Sequence, residues 1–175
     1  MKAIPELSVV IPTLGRTLLV GTVKSLIAAK GFERIEVIVS GRVPEGPVLG
    51  EISELCARHS QIRHLPVFFE LGDSSEKKNA GMRDSRADLV AFLDDDVVVA
   101  PDWPERMIGS FDRPGVGLVS GPGLVPEGVS LMTRLAGVAL SSAAAGYVSE
   151  RYLKGTSSLR QIGWSRIIGC NMVYR

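Results

Sequence analysis

Short, mostly apolar runs alternate along this chain with longer stretches whose apolar residues recur every three or four positions. Leu7 to Ile11 (LSVVI), Ile35 to Val39 (IEVIV) and Leu89 to Leu93 (LVAFL) are of the first kind. Runs this short, rich in β-branched residues and closed by Pro12 or by Ser40-Gly41, read as strands buried in a parallel sheet. Leu19, Val23, Leu26 and Ile27 have helical spacing, with Gly31 as a stop. A second helix, about Val48 to His59, carries Leu49, Ile52, Leu55 and Cys56 on one face. Ile62 to Phe69 predicts a third strand, and Ser74 or Ser75 caps the short charged helix that follows. Beyond Leu93, Asp102 caps a helix from about Pro104 to Phe111, Val116 to Ser120 is a strand, and Ile167 to Arg175 is the last one. Leu131 to Tyr147 has the Ala/Leu composition of a buried core helix. The alternation predicts one α/β domain with an open, mostly parallel sheet flanked by helices.

The pattern centres on DLVAFLDDDVVVAPDW, from Asp88 to Trp103. Asp94, Asp95 and Asp96 stand side by side inside an apolar frame, where mutual repulsion and burial both oppose their charge. A divalent ion that prefers oxygen, Mg²⁺ or Mn²⁺, resolves the conflict, as do hydrogen-bond donors on a bound ligand. A solvated acidic loop is the plainer alternative. Ligands of open α/β sheets sit at the carboxyl ends of the strands, so Thr13 to Arg16, Ser40 to Arg42 and Asp94 to Asp96 should converge on one edge. Arg16, Lys77, Lys78 and Arg83 are the basic residues that could complete a diphosphate site, their alternative being a solvated helix face.

Composition narrows the field. The chain has 175 residues and a formal net charge of +1, with no dense basic block, which argues against a nucleic-acid partner. Cys56 and Cys170 lack metal or disulfide spacing and read as small buried residues in a reducing setting. Pro5 and Pro12 break the N-terminal segment too early for a signal peptide. The Leu135–Val148 stretch is shorter than the ~20 residues of a spanning helix, so no membrane span is expected, though peripheral contact stays open. There is no GxxxxGK[ST], no GxGxxG after the first strand and no GxSxG turn. His59 and His64 are surface or sheet-edge residues rather than ligands.

SVVIPTLGR, KKNAGMRDSRADLVAFLDDDVVVAPDW and GCNMVYR, in that order, resemble the family 2 glycosyltransferases of the GT-A fold, a Rossmann-like fold. The resemblance implies inverting transfer of a sugar from a nucleotide-diphosphate donor to a saccharide, lipid-linked or other acceptor, assisted by Mg²⁺ or Mn²⁺. It implies a donor site of Pro12, Thr13, Arg16, Ser40, Lys78, Asn79, Asp94 and Asp95. Asp94-x-Asp96 would be the DxD motif, its first acid towards the ribose, with Asp94 and Asp96 as metal ligands. Gly169, Asn171 and Arg175 match the closing motif. Two departures stand out. Where the family has an Asp-Asp-Gly-Ser turn after the second strand, this chain has Ser40-Gly41-Arg42. The family's general base follows the closing motif, so residues 1–175 are expected to be a single domain cut short on its acceptor side, with no base to nominate. Asp102 and Glu105 read better as helix-start residues. The setting expected is cytoplasmic, with the inner membrane face as an option.

Three other readings compete. A sugar-nucleotide nucleotidyltransferase would need a richer Gly-basic loop than PTLGR. A receiver-type module would need acids after the first strand, where Pro12-Thr13 supplies none. A degenerate transferase that binds without turnover is kept open by Ser40-Gly41-Arg42.

Overall fold

A computed structural model of the chain describes residues 4–68, 74–153, 159–163 and 166–175. Strand β1 (Leu7–Thr13) is buried along its whole length, as is β2 (Ile35–Gly41). Each is covered on both faces, which is why neither shows polar alternation. The connecting helix α1 (Leu18–Ile27) presents Leu19, Val20, Val23 and Leu26 to the sheet. Gly31 lies beyond it at φ 87° and opens a single 3₁₀ turn into β2. Helix α2 (Pro47–Arg58) starts with proline in its first turn and leads to β3 (Ile62–Leu65), shorter than the sequence predicts. Phe69, at the far end of that expected strand, lies outside the described residues.

Helix α3 (Ser74–Arg83) precedes β4 (Leu89–Leu93). Ser74 and Ser75 are its first two residues rather than its cap. After β4 come α4 (Trp103–Ser110), β5 (Leu118–Ser120), α5 (Leu131–Ser141), a 3₁₀ segment (Ala143–Arg151) and β6 (Asn171–Tyr174). The six strands lie in the order β3-β2-β1-β4-β6-β5. β3, β2, β1 and β4 run parallel, while β6 is antiparallel to both β4 and β5.

This order reverses direction at β1. Crossovers from β1 to β2 and from β2 to β3 move one way; the crossover from β3 to β4 moves back past both. Right-handed connections therefore put α3 on the face opposite α1 and α2. The buried residues divide accordingly. Leu7, Val9 and Ile11 join the large cluster with Leu26, Ile52, Trp103 and Ile108, whereas Val10, Ile38, Val90 and Phe92 form a smaller one. On that second face α3 approaches closely. A Cβ on Gly81 would lie 2.3 Å from Val10 Cγ1, so no larger residue fits there. Ser40 Oγ donates to the Lys77 carbonyl at 2.7 Å and pins the start of α3 to the end of β2.

Glu36 is the one acid inside a central strand, its side chain 1 % exposed. Its carboxylate accepts from Ser8 Oγ at 2.5 Å and Arg86 N at 2.8 Å, and pairs with Arg63 and Arg86. Burial pushes its pKa up, but these donors outweigh burial and hold it below the usual carboxylate value.

Two expectations need correction. Asp102 sits at the N-cap position of α4 without capping it; the carboxylate accepts instead from Arg106 Nε at 2.6 Å. Its backbone (φ −113°, ψ 14°) lies outside the extended region that aims a capping side chain at the helix amides. The expected core helix from Leu131 to Tyr147 is broken, with α5 and the 3₁₀ segment meeting at 96°. It is also largely exposed: Leu131 is 68 % and Val138 65 % accessible, and Gly137 is the buried residue of α5. Gly137 packs against Val125, so α5 turns its small-residue side inward and its large apolar side outward. Composition registers apolar content but not which side of a helix meets the body. No single helix among the described residues is long and apolar enough to cross a membrane.

Candidate functional site at the sheet reversal

β1 and β4 are neighbours in the sheet, and the loops after them leave its carboxyl edge side by side, the position at which open α/β sheets take ligands. The β4 loop supplies Asp94, Asp95 and Asp96; the β1 loop supplies Leu14, Gly15 and Arg16. The two are bolted together by Asp95, which is 3 % exposed. Thr13 Oγ1 donates to Asp95 Oδ2 at 2.6 Å and itself accepts from Gly15 N at 2.8 Å. Arg16 donates to Asp95 Oδ1 through Nε at 3.0 Å and also through Nη2. Asp95 is thus engaged by the chain itself, while its neighbours Asp94 and Asp96 on either side are half-buried and exposed.

Those neighbours differ. Asp94 is half-buried, and its pKa is raised chiefly by burial, with Asp96 and Asp95 adding repulsion against the opposing pull of Lys78 and Arg16. Asp96 is exposed, and Arg16 Nη2 approaches its Oδ2 at 3.3 Å. Lys78 reaches the same place from α3, its Nζ 5.5 Å from the centre of the Phe92 ring. Asn79 follows it, half-buried. Pro12 and Ser40 are buried and lie opposite each other in the β1–β2 register.

Thr13, Arg16, Lys78, Asp94, Asp95 and Asp96 therefore come together, with Pro12 and Ser40 beneath them. Arg83 does not join them, since it ends α3 beside the amino ends of the strands. Arg175 is also remote: β6 begins beside Leu93 but runs antiparallel, and Arg175 ends over the Phe111 ring at 5.4 Å. Asn171, at the near end of β6, is a hub. It accepts from Trp103 Nε1 at 2.8 Å through Oδ1, and its backbone oxygen accepts from Ser120 Oγ at 2.9 Å. Cys170 is a residue the sequence left in the background. It is half-buried, burial raises its pKa, and Asp94 and Asp96 push it further the same way. Its place directly before the strand that pairs with β4 was the available signal.

The Ser40-Gly41-Arg42 turn has a physical reason to lack the expected acid. Gly41 has φ 140°, and a Cβ there would lie 2.2 Å from the Thr13 carbonyl oxygen. Thr13 and Gly41 end β1 and β2 as register partners, and their backbones approach at a point where no side chain fits. Arg42 is exposed.

Among the described residues no three His, Cys, Asp or Glu side chains gather into a ready-made metal site. Asp94 and Asp96 nonetheless suit a hard divalent ion: both are oxygen donors, one is half-desolvated with little compensation, and the other is accessible. Two carboxylates leave most coordination positions to ligand oxygens or water, as Mg²⁺ sites commonly do.

The profile of the family described as "Glycosyl transferase family 2" matches residues 8–175, nearly the whole chain. The chain belongs to glycosyltransferase family 2. A curated relative, "Uncharacterized protein y4gI" of Sinorhizobium fredii (strain NBRC 101917 / NGR234), is 33% identical over 134 residues. That match covers 73% of this family 2 chain and 14% of the relative, so the chain spans about a seventh of that protein's length. Among solved structures, the mannosyltransferase PcManGT of Pyrobaculum calidifontis, in complex with GDP-Man and Mn²⁺, superposes with a TM-score of 0.58 at 18% identity. It is covered over 35% of its chain, against 67% of this one. TarS 1-349 of S. aureus gives 0.60 at 16% identity, covering 71% of this chain and 38% of that 1-349 chain. At such identities the likeness establishes the fold: this family 2 domain has the GT-A architecture, with a mostly parallel mixed sheet flanked by helices.

Proposed function

We propose that this domain binds a nucleoside-diphosphate sugar at the β1/β4 reversal and takes part in transferring the sugar, with inversion and with Mg²⁺ or Mn²⁺, to an acceptor. The observation that carries the reading is the pair Asp94 and Asp96 at the carboxyl end of β4, one half-buried and one exposed, beside Arg16 and Lys78 and on either side of the fixed Asp95. PcManGT, a fold neighbour, carries GDP-Man and Mn²⁺, which supports the same ligand class here.

In this reading Asp96 and Asp94 hold the divalent ion, which when bound offsets the negative charge that builds on the departing diphosphate. The chain's own residues do the rest. Thr13, held by Gly15 N and Asp95, fixes the β1 loop against which the nucleoside lies. Lys78 and Arg16 bring positive charge to the phosphates, and Asn79 borders the donor. Pro12 and Ser40 form the buried floor. The general base is assigned to no residue of this chain.

The test is calorimetric titration of UDP and GDP with and without Mn²⁺. Nucleotide binding should require the ion, and Asp96→Ala should abolish the Mn²⁺-dependent binding. Where the complete protein turns over, the substitution should cost about a hundredfold or more in rate. Binding that ignores Mn²⁺, or no binding of any nucleoside diphosphate, overturns the reading. A second reading, a binding module without turnover, is favoured by Gly41, where the backbone excludes a side chain at the turn in which the family resemblance expects an acid. Nucleotide binding without transfer in the complete protein would select it.

A further inference from the structure

Arg16 contacts two acids at unequal depth. Its Nε, at 3.0 Å, and its Nη2 both donate to the buried Asp95 and anchor the side chain. The same Nη2 also lies 3.3 Å from the exposed Asp96, the longest of the three contacts. The side chain is 56% exposed, so a small turn of the guanidinium releases Asp96 while Nε stays on Asp95. We propose that Arg16 is a positioning residue that couples the two ligands of this site, occupying Asp96 until a diphosphate draws it away and frees that carboxylate for the cation. The inference rests on the reading of the site as one for a divalent ion and a nucleoside diphosphate.

The argument is one of charge. A divalent cation approaching Asp96 meets a guanidinium already there, so the metal alone binds against repulsion. A diphosphate offers Arg16 a bidentate partner of greater charge than one exposed carboxylate. Once Arg16 turns to it, the obstacle at Asp96 is removed, and each ligand raises the affinity for the other by the same factor. Direct contact between cation and phosphate adds its own cooperativity; Arg16 supplies a separable share.

Free Mn²⁺ is measured by electron paramagnetic resonance as it is titrated into the chain, first alone and then with saturating GDP or UDP. Arg16→Gln should bind Mn²⁺ alone about two- to fivefold more tightly, the range expected on removing an exposed counter-ion. The gain in Mn²⁺ affinity on adding nucleotide should shrink at least about threefold. Arg16→Lys, which keeps the charge, should bind Mn²⁺ alone within about twofold of the wild type. A purely structural role for Arg16 gives the opposite sign: the loosened loop would bind Mn²⁺ less well, and that result overturns the proposal. So does unchanged coupling in Arg16→Gln, or an Arg16→Gln chain that fails to fold. If the wild type binds no nucleotide at all, the functional reading fails and this inference with it. If the wild type couples and Arg16→Gln couples equally, this inference alone falls.

Discussion

Glu36 lies in β2 near its amino end and Asp94 directly after β4 at its carboxyl end, on either side of β1, and their surroundings differ in kind. Glu36 is almost fully buried, yet two arginines, a serine and a backbone amide hold its pKa low. Asp94 is less buried, yet its pKa is raised, because burial and two neighbouring acids outweigh the attraction of Lys78 and Arg16. The first acid is an internal tie joining β1, β2, β3 and the approach to β4. The second has a charge that its surroundings only partly offset. Depth of burial therefore does not explain the difference between these two acids; completeness of their partners does.

The hardest test of that contrast is Glu36→Ala. It strips both arginines of their buried partner and leaves Ser8 Oγ and Arg86 N without an acceptor. The expected loss is about 3 kcal/mol, measured as the shift in a urea unfolding midpoint at fixed slope. A loss below about 1 kcal/mol would mean the cluster behaves like a surface ion pair, and the contrast would fail.

Acid should dissolve the same tie. Glu36 has a folded pKa below its ordinary value of 4.5, so the unfolded chain takes up its proton first as pH falls. Its contribution is whole above that value and is lost as pH drops through the lower folded one. The difference in stability between wild type and Glu36→Gln should hold steady near about pH 6 and narrow towards about pH 3. A constant difference would show that the charge of Glu36 is not what stabilises the fold.

The sequence revealed the two ends of the sheet unequally. Asp94, Asp95 and Asp96 announced themselves because three adjacent acids in an apolar run need a cause that lies close at hand. Glu36 sits alone in IEVIV, and its partners Arg63 and Arg86 are 27 and 50 residues away, so no local pattern could pair them. The parallel strands were legible from their apolar runs, and the meeting of the loops at one edge followed from the rule for strand ends. The reversed direction of β6 was not, because a buried strand has the same composition whichever way it runs. That direction is what carries Arg175 away from the site while leaving Asn171 beside it. The division of labour among the three acids was equally hidden. It depends on Thr13 and Arg16 claiming Asp95, a contact across about eighty residues of chain.

The smallest effect discriminates most sharply. If Asp94 is held in place against its own electrostatics, removing its charge should relieve the fold instead of harming it. Asp94→Asn keeps the size of the side chain, and in chelator-treated buffer it should stabilise the domain by about 0.5 to 1 kcal/mol, or raise Tm by roughly 2 °C. Added Mn²⁺ with GDP or UDP should then reverse the order. The wild type gains stability in proportion to how tightly it binds them, and Asp94→Asn forgoes much of that gain. A lower Tm for Asp94→Asn without ligand would place Asp94 with Glu36 among the acids that serve the fold. The distinction between the two ends of the sheet would then disappear. A higher Tm that falls behind the wild type once ligand is present would mark Asp94 as a residue whose cost to stability is kept for binding.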